Sequence, residues 1–348
     1  MTKNVAVFAD GTNNSSAALF RTNVWRLYQA LDTQVSAHGA PQLAYYHDGV
    51  GTSSFRPLAI LGGAFGWGLK RNVLDCYKFI CRNYQPGDRI YLFGFSRGAF
   101  TVRVLASLIC HEGLVKPDSN RNLEIYARDA YRAYRRRFNW TGGLVGPLRS
   151  ARDRYLAWMR RRSNRSIYTP QKNVKPQEHG NGFAVEFIGV WDTVAAYGTP
   201  VAELTRGIDE WIWPLSMPDY TLHEAVRIAR HAVALDDERD TFHPLLWDEI
   251  RSKNPERIHQ VWFAGVHSDV GGGYPDDSAS YKPLQWMMDQ AAAAGLIFVP
   301  HAVNEIRRTA MSTGPMHDSR RGLAGYYRYQ PRKIGAHINP PDPTTRLM

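Results

Sequence analysis

One stretch constrains this chain more than any other: Arg89-Ile90-Tyr91-Leu92-Phe93-Gly94-Phe95-Ser96-Arg97-Gly98-Ala99-Phe100, where an apolar run ends in Gly-x-Ser-x-Gly and passes directly into a helical pattern. This is the pattern of a nucleophile elbow. Gly94 and Gly98 admit a sharp strand-to-helix turn without Cβ clashes, which holds the Ser96 hydroxyl above the sheet edge at a helix N-terminus, where negative charge is stabilised. The surroundings agree on both sides. Gln85-Pro86-Gly87-Asp88 reads as a turn and residues 90–93 as a buried strand, while Ala99, Val102, Leu105, Leu108 and Ile109 recur at helical spacing. A tight Gly-Ser turn without chemistry is the competing reading, and the coincidence of motif with strand-turn-helix context weighs against it.

Five strand-like runs, Asn4–Ala9 and residues 43–47, 90–93, 183–190 and 258–264, alternate with helical patterns at 23–32, 71–84, 123–138, 152–162, 222–235 and 284–294, besides the helix that leaves the elbow. The alternation predicts an α/β fold, an α/β-hydrolase-like, doubly wound and mainly parallel sheet. The first strand runs into Asp10-Gly11-Thr12-Asn13-Asn14, a small polar loop of the kind that offers backbone N–H groups at the carboxyl edge of such a sheet. Gly11 or Thr12 is therefore expected to supply one oxyanion amide and Arg97, the residue after Ser96, the second. Asp10 suits an Asx-turn or helix cap as readily as a catalytic role. The glycine-rich connection through 48–52 and 62–68 lacks the Lys and the spacing of a phosphate-binding loop, so no nucleotide is assigned to it and no cofactor is expected.

Strand ends carry Ser96, Asp192 and His267 in the chain order Ser, Asp, His that α/β hydrolases use. A serine hydroxyl is a poor nucleophile until an imidazole accepts its proton, and a carboxylate must hold that imidazole in the right tautomer. Of the competing histidines, His259 lies inside a strand, His223, His231 and His243 on or near the preceding helical region, and His301, His317 and His337 in the tail; only His267 falls in a Gly-rich loop after the last strand. Asp269, two residues on, is expected to orient that loop through backbone amides. A metal-dependent phosphohydrolase using Asp10, Asp192, His267 and Asp269 is the alternative enzyme, and it leaves the elbow unexplained.

At 348 residues the chain suits one hydrolase domain, with an inserted helical cap at 114–181 and a surface-wrapping or flexible tail at 300–348. Between Lys116 and Glu178 stand thirteen Arg and three Lys against five acids, which accounts for the whole net charge of +11. These residues form two basic amphipathic patterns around a Gly-rich link, consistent with an anionic membrane surface as partner or with a solvated face; no nucleic acid is expected. The aromatic run at 210–220 is expected to line a pocket, touch lipid or pack under a loop. No apolar run of spanning length and no signal-peptide pattern appear, so synthesis in the cytoplasm is expected. Cys76, Cys81 and Cys110 have neither metal-ligand nor disulfide spacing.

Val7-Phe8-Ala9-Asp10-Gly11-Thr12-Asn13-Asn14, Gly49-Val50-Gly51-Thr52, Gly94-Phe95-Ser96-Arg97-Gly98-Ala99, Gly189-Val190-Trp191-Asp192-Thr193-Val194 and His267-Ser268-Asp269-Val270-Gly271-Gly272-Gly273-Tyr274 together resemble domain-of-unknown-function family 2235. That family includes the first lipase class of type VI secretion effectors. The resemblance implies an α/β-hydrolase fold, a phospholipase A activity in the effector members, a triad on Ser96, Asp192 and His267, and Asp10-Gly11-Thr12 beside it. It extends the expected partners to a secretion-spike or immunity protein, and the expected destination to secretion without a signal peptide. The combined expectation is a serine esterase acting on acyl esters of phospholipids or other lipids, against the metal phosphohydrolase or a non-catalytic anionic-lipid-binding module on the same fold.

Overall fold

The computed structural model describes residues 2–11, 20–34, 39–49, 63–116, 119–138, 168–194, 220–320, 329–332 and 345–347, together with residues 151, 154, 155, 158, 159 and 162. Seven strands form one sheet: β1 Asn4–Ala9, β2 Gln42–His47, β3 Arg89–Phe95, β4 Val185–Trp191, β5 Val226–Ala234, β6 Ile258–Phe263 and β7 Thr345–Leu347. Their order is β2-β1-β3-β4-β5-β6-β7, and every neighbouring pair is parallel. The direction of winding reverses between β1 and β3. Such a reversal opens a crevice at the carboxyl ends of the strands, which is where α/β sheets bind ligands. Register keeps those ends level, with Ala9 opposite Gly94, Phe95 opposite Trp191 and Trp191 opposite Ala232.

The described helices are α1 Asn23–Ala30, α2 Gly63–Asn83, α3 Arg97–Glu112, α4 Asn120–Phe138, α5 His267–Gly271, α6 Tyr281–Ala293 and α7 Pro300–Ala310. Parallel strands need cover on both faces, and here the two faces bury separate apolar clusters. Val5, Val7, Ile90, Leu92, Ile188 and Val190 pack under α2, α3 and α4. Phe8, Phe93, Phe187 and Val261 pack under α1, α6 and α7. Between them, successive side chains of each strand alternate from one core to the other.

Three stretches differ from the expectation. Residues 222–235, predicted as a helix, contain β5, a central strand between β4 and β6. Both faces of a central parallel strand are buried, so the period-two signal is lost and the apolar positions pass for a helical pattern. Helix α2 begins at Gly63, inside the predicted glycine-rich connection, despite the weak helix propensity of glycine. Beyond residue 300, α7 buries Ile306 and Ala310, and β7 adds an edge strand beside β6. In the basic segment, α4 buries Leu123, Ala127, Ala130, Tyr131 and Tyr134, and Arg128, Arg132 and Arg137 pair with Glu124, Asp129 and Glu112. The predicted second basic helix is described only at isolated residues, of which Tyr155, Trp158 and Met159 are exposed; the aromatic run lies outside the described residues except for Tyr220. No helix among the described residues is long and apolar enough to cross a membrane.

The elbow is seated on β1 by a glycine contact. A Cβ on Gly98 would stand 2.1 Å from the Ala9 carbonyl oxygen and 2.6 Å from that of Asp10, so only glycine lets α3 approach the end of β1 this closely. Gly98→Ala should therefore force the helix off the strand. The expected cost is about 1–3 kcal/mol of overpacking, read as a lower urea midpoint with an unchanged m-value.

Candidate active site

Ser96 joins β3 to α3 at φ 58 and ψ −123, a left-handed conformation that costs a non-glycine residue roughly 1–3 kcal/mol. The turn is held from both sides: Ser96 N–H donates to the Trp191 carbonyl at 3.1 Å and the Ser96 carbonyl accepts from Phe100 at 3.2 Å. Arg97 is the first residue of α3, ahead of the intrahelical ladder of hydrogen bonds.

Asp192 follows β4 directly and is also at positive φ, 34. Its carboxylate is fully buried and meets four donor groups. Oδ1 accepts from Ala234 N–H at 2.9 Å and from Arg332 Nη1 at 2.8 Å, while Oδ2 accepts from His267 Nδ1 at 2.6 Å and from Arg332 Nη2 at 3.1 Å. Burial alone would raise this carboxyl, but the Arg332 guanidinium and the His267 imidazole outweigh it and hold Asp192 well below the usual carboxylate range.

His267 opens α5, where its backbone N–H donates to Asp237 Oδ2 at 3.1 Å. Arg239 grips both oxygens of Asp237, at 2.9 and 2.6 Å, and with burial overcome keeps that carboxyl below its ordinary value. The imidazole sits against Phe95 and Phe242, with ring centroids 4.6 and 5.0 Å away. A bond from Nδ1 to a carboxylate fixes the proton there and leaves Nε2 as the basic nitrogen. Phe95 immediately precedes Ser96, so the imidazole lies against the elbow itself. A Cβ on Gly271 would stand 2.0 Å from the Phe95 ring, which is why the turn after His267 needs glycine.

The remaining expected residues divide. Asp10 accepts from its neighbour Gly11 N–H at 2.7 Å, from Tyr46 Oη at 2.7 Å and from the Thr22 hydroxyl, which itself caps α1. The bond engages the Gly11 amide that was expected to face an oxyanion. Thr12 lies outside the described residues. Asp269 accepts from Val266 N–H and His317 N–H, each at 3.0 Å, and from His317 Nδ1 at 2.6 Å, so it orients its own loop; the Tyr274 ring stacks on His317 at 3.9 Å. Asp10, Asp269 and the Asp192–His267 pair thus bind different partners, and among the described residues no cluster of three or more His, Cys, Asp or Glu is placed to hold a metal ion.

Sequence reasoning missed Arg332, Asp237, His317 and His231. Arg332 and His317 sit in a tail without periodicity, His231 belonged to the stretch predicted as helix, and Asp237 follows it in a segment to which no role was given. His231 is buried in β5, where its Nε2 accepts from Thr193 N–H at 3.1 Å and its Nδ1 pairs with Gln260 Oε1 at 3.2 Å. Burial, aided by the nearby Arg103 charge, pushes its pKa down to about 3. A neutral ring is what the Thr193 bond requires, and that bond fixes the backbone one residue past Asp192.

The family model for the type VI secretion system phospholipase effector Tle1-like catalytic domain matches residues 3–290. The chain belongs to that family. An uncharacterized protein of Saccharomyces cerevisiae, YEL023C, is 34% identical over 145 residues, 38% of this chain and 20% of the yeast protein. Among solved structures, an uncharacterized protein from Pseudomonas aeruginosa aligns at TM-score 0.45 and 19% identity over 88% of this chain and 48% of its own. The Tle1 effector bound to the VgrG spike of the type VI secretion system aligns at TM-score 0.41 and 17% identity over 79% of this chain and 52% of its own. The chain thus spans about half the length of these solved structures and a fifth of the yeast relative.

His231 ties stability to pH. Its pKa lies near 6.5 when unfolded and about 3 when folded, so its contribution is complete above pH 6.5 and is lost as pH falls toward 3. The urea midpoint should drop through this window, and His231→Gln, which keeps an acceptor and a donor but does not titrate, should flatten the slope measured from pH 7 to pH 4.

Proposed function

We propose that this chain is a serine hydrolase that cleaves acyl esters of phospholipids by an acyl-enzyme route. The observation that carries the proposal is the bond from His267 Nδ1 to the buried, ionised Asp192, with the imidazole against the residue that precedes Ser96. Ser96 Oγ attacks the ester carbonyl and passes its proton to His267 Nε2. The tetrahedral oxyanion is held by the Arg97 backbone N–H, while the Gly11 amide is engaged by Asp10. Collapse expels the lysolipid alcohol, which takes the proton from His267. Water, deprotonated by the same imidazole, then releases the fatty acid and restores Ser96.

Two further considerations support this reading over its rivals. The metal phosphohydrolase needs Asp10 and Asp269 beside the Asp192–His267 pair, and each is committed to other donors. A pure binding module has no use for positive φ at both Ser96 and Asp192, whereas strain of this kind gathers at reacting centres. Membership of the phospholipase effector family supports the lipid substrate, a type VI secretion spike as partner and export by that route. The basic segment supports an anionic membrane surface as the place of action: Tyr155, Trp158 and Met159 are exposed, and the Arg162 guanidinium lies 5.1 Å over the Trp158 ring.

Phospholipid vesicles test the proposal directly. The parent protein should release free fatty acid and lysolipid, Ser96→Ala should reduce release to background, and Asp192→Asn should lower kcat by about 10⁴-fold if it folds. Turnover that survives Ser96→Ala, or that a chelator abolishes, would remove the serine mechanism.

A further inference from the structure

Arg103 stands on α3, about two turns beyond Ser96, and is 3% exposed. A cation buried so deeply is normally met by an acid, as Arg239 is by Asp237 and Arg332 by Asp192. Arg103 is held differently. Its Nη1 donates to the Leu245 carbonyl, and its guanidinium plane lies over the Trp247 ring, with the central carbon 4.4 Å from the centroid. Nε and Nη2 are buried without a hydrogen-bond partner, and burial pushes the guanidinium pKa down to about 9. This arrangement costs stability, because the charge has left water and no anion replaces the lost hydration.

Leu245 and Trp247 belong to the loop after β5, and both lead to the peptide that follows Asp192. Leu245 N–H donates to the Thr193 carbonyl at 2.8 Å, and Pro244 bridges Val194. The Trp247 backbone binds both edges of the Gln260 amide: its N–H donates to Oε1 at 2.8 Å and its carbonyl accepts from Nε2 at 3.0 Å, which fixes that side chain's orientation. Oε1 then faces His231 Nδ1 at 3.2 Å, so the ring carries its proton there and turns a bare Nε2 to the Thr193 N–H at 3.1 Å. Thr193 is thereby gripped at its N–H by way of Trp247 and at its carbonyl by Leu245. Asp192, immediately before it, sits at φ 34, a backbone conformation that persists only where the surroundings hold it.

We propose that Arg103 is a positioning residue that ties the elbow helix to the peptide after Asp192, through Leu245 and Trp247, and so keeps the nucleophile and the acid in register. The inference rests on the Ser96–His267–Asp192 reading given above. Close to the elbow, the two parts are joined by the bond from Ser96 N–H to the Trp191 carbonyl. A second tie, two turns along the helix, opposes rotation about the first. A guanidinium suits this place because it donates in its own plane while its face stacks on an indole, and an ammonium cannot do both. An apolar side chain of similar length would fill the space without the buried charge and without the grip.

The test compares kcat and KM for a short-chain nitrophenyl ester, together with the urea midpoint, in the parent, Arg103→Met, Arg103→Lys and Ser96→Ala. Arg103→Met removes an uncompensated buried cation, so its midpoint should stay at or above the parent value. Its kcat should nevertheless fall roughly ten- to a hundredfold with KM within about twofold of the parent, the mark of reacting groups held out of place. A residue that served stability alone would not give both results. Arg103→Lys keeps the charge but not the plane, and its kcat should fall in the same direction with KM unchanged. Parental kcat in either folded variant overturns the inference. A midpoint well below the parent in Arg103→Met, or a failure of that variant to fold, makes the guanidinium a stability element and overturns it as well. Activity retained in Ser96→Ala is a separate failure, that of the serine mechanism itself.

Discussion

The buried carboxylate of Asp192 is the interaction on which the other parts of the site converge. An isolated carboxylate with no exposure to water would cost several kcal/mol, so the charge is tolerable only because donors surround it. Those donors come from separate parts of the chain: Ala234 at the end of β5, His267 at the start of α5 and Arg332 from the tail. Satisfying one side chain therefore brings three carboxyl-end segments of the sheet to one place. Its backbone is fixed as firmly, through its own N–H to Ala232 and through Thr193 to His231.

The second constraint is the winding of the sheet. Strand order reverses between β1 and β3, and the elbow stands on that boundary, with α3 packed onto the Ala9 and Asp10 carbonyls through Gly98. Across the crevice, the loop after β6 docks on the start of α1: Asn23 donates to the Val270 and Ser280 carbonyls at 2.9 and 2.8 Å, and Gly272 bridges Thr22. Thr22 also binds Asp10. The loop after β1 and the loop carrying His267 are thus joined through a single helix terminus, which keeps their relative positions fixed without any direct bond to Ser96.

Charge is divided in a corresponding way. The sheet, the elbow and the loops around Asp192 pair their charges internally, as in Arg239–Asp237 and Arg26–Asp277. The excess of positive charge belongs to the segment between Lys116 and Glu178, where α4 spends its apolar face on α2 and α3 and turns its arginines outward.

Local sequence determined the elbow, the α/β class, the strands at both of its flanks, and the chain order of Ser96, Asp192 and His267. These are legible because a sharp Gly-x-Ser-x-Gly turn between an apolar run and a helical pattern is fixed by sterics within a dozen residues. Only the tertiary structure decided the rest. Residues 226–234 become a strand because both their faces are covered, a fact about neighbours that no period within the segment records. His267 pairs with Asp192 and His317 with Asp269, both at 2.6 Å, and spacing along the chain does not say which imidazole takes which carboxylate. Arg332 meets Asp192 across 140 residues of sequence, and a contact at that separation leaves no local trace because its partners are selected by the burial of a charge.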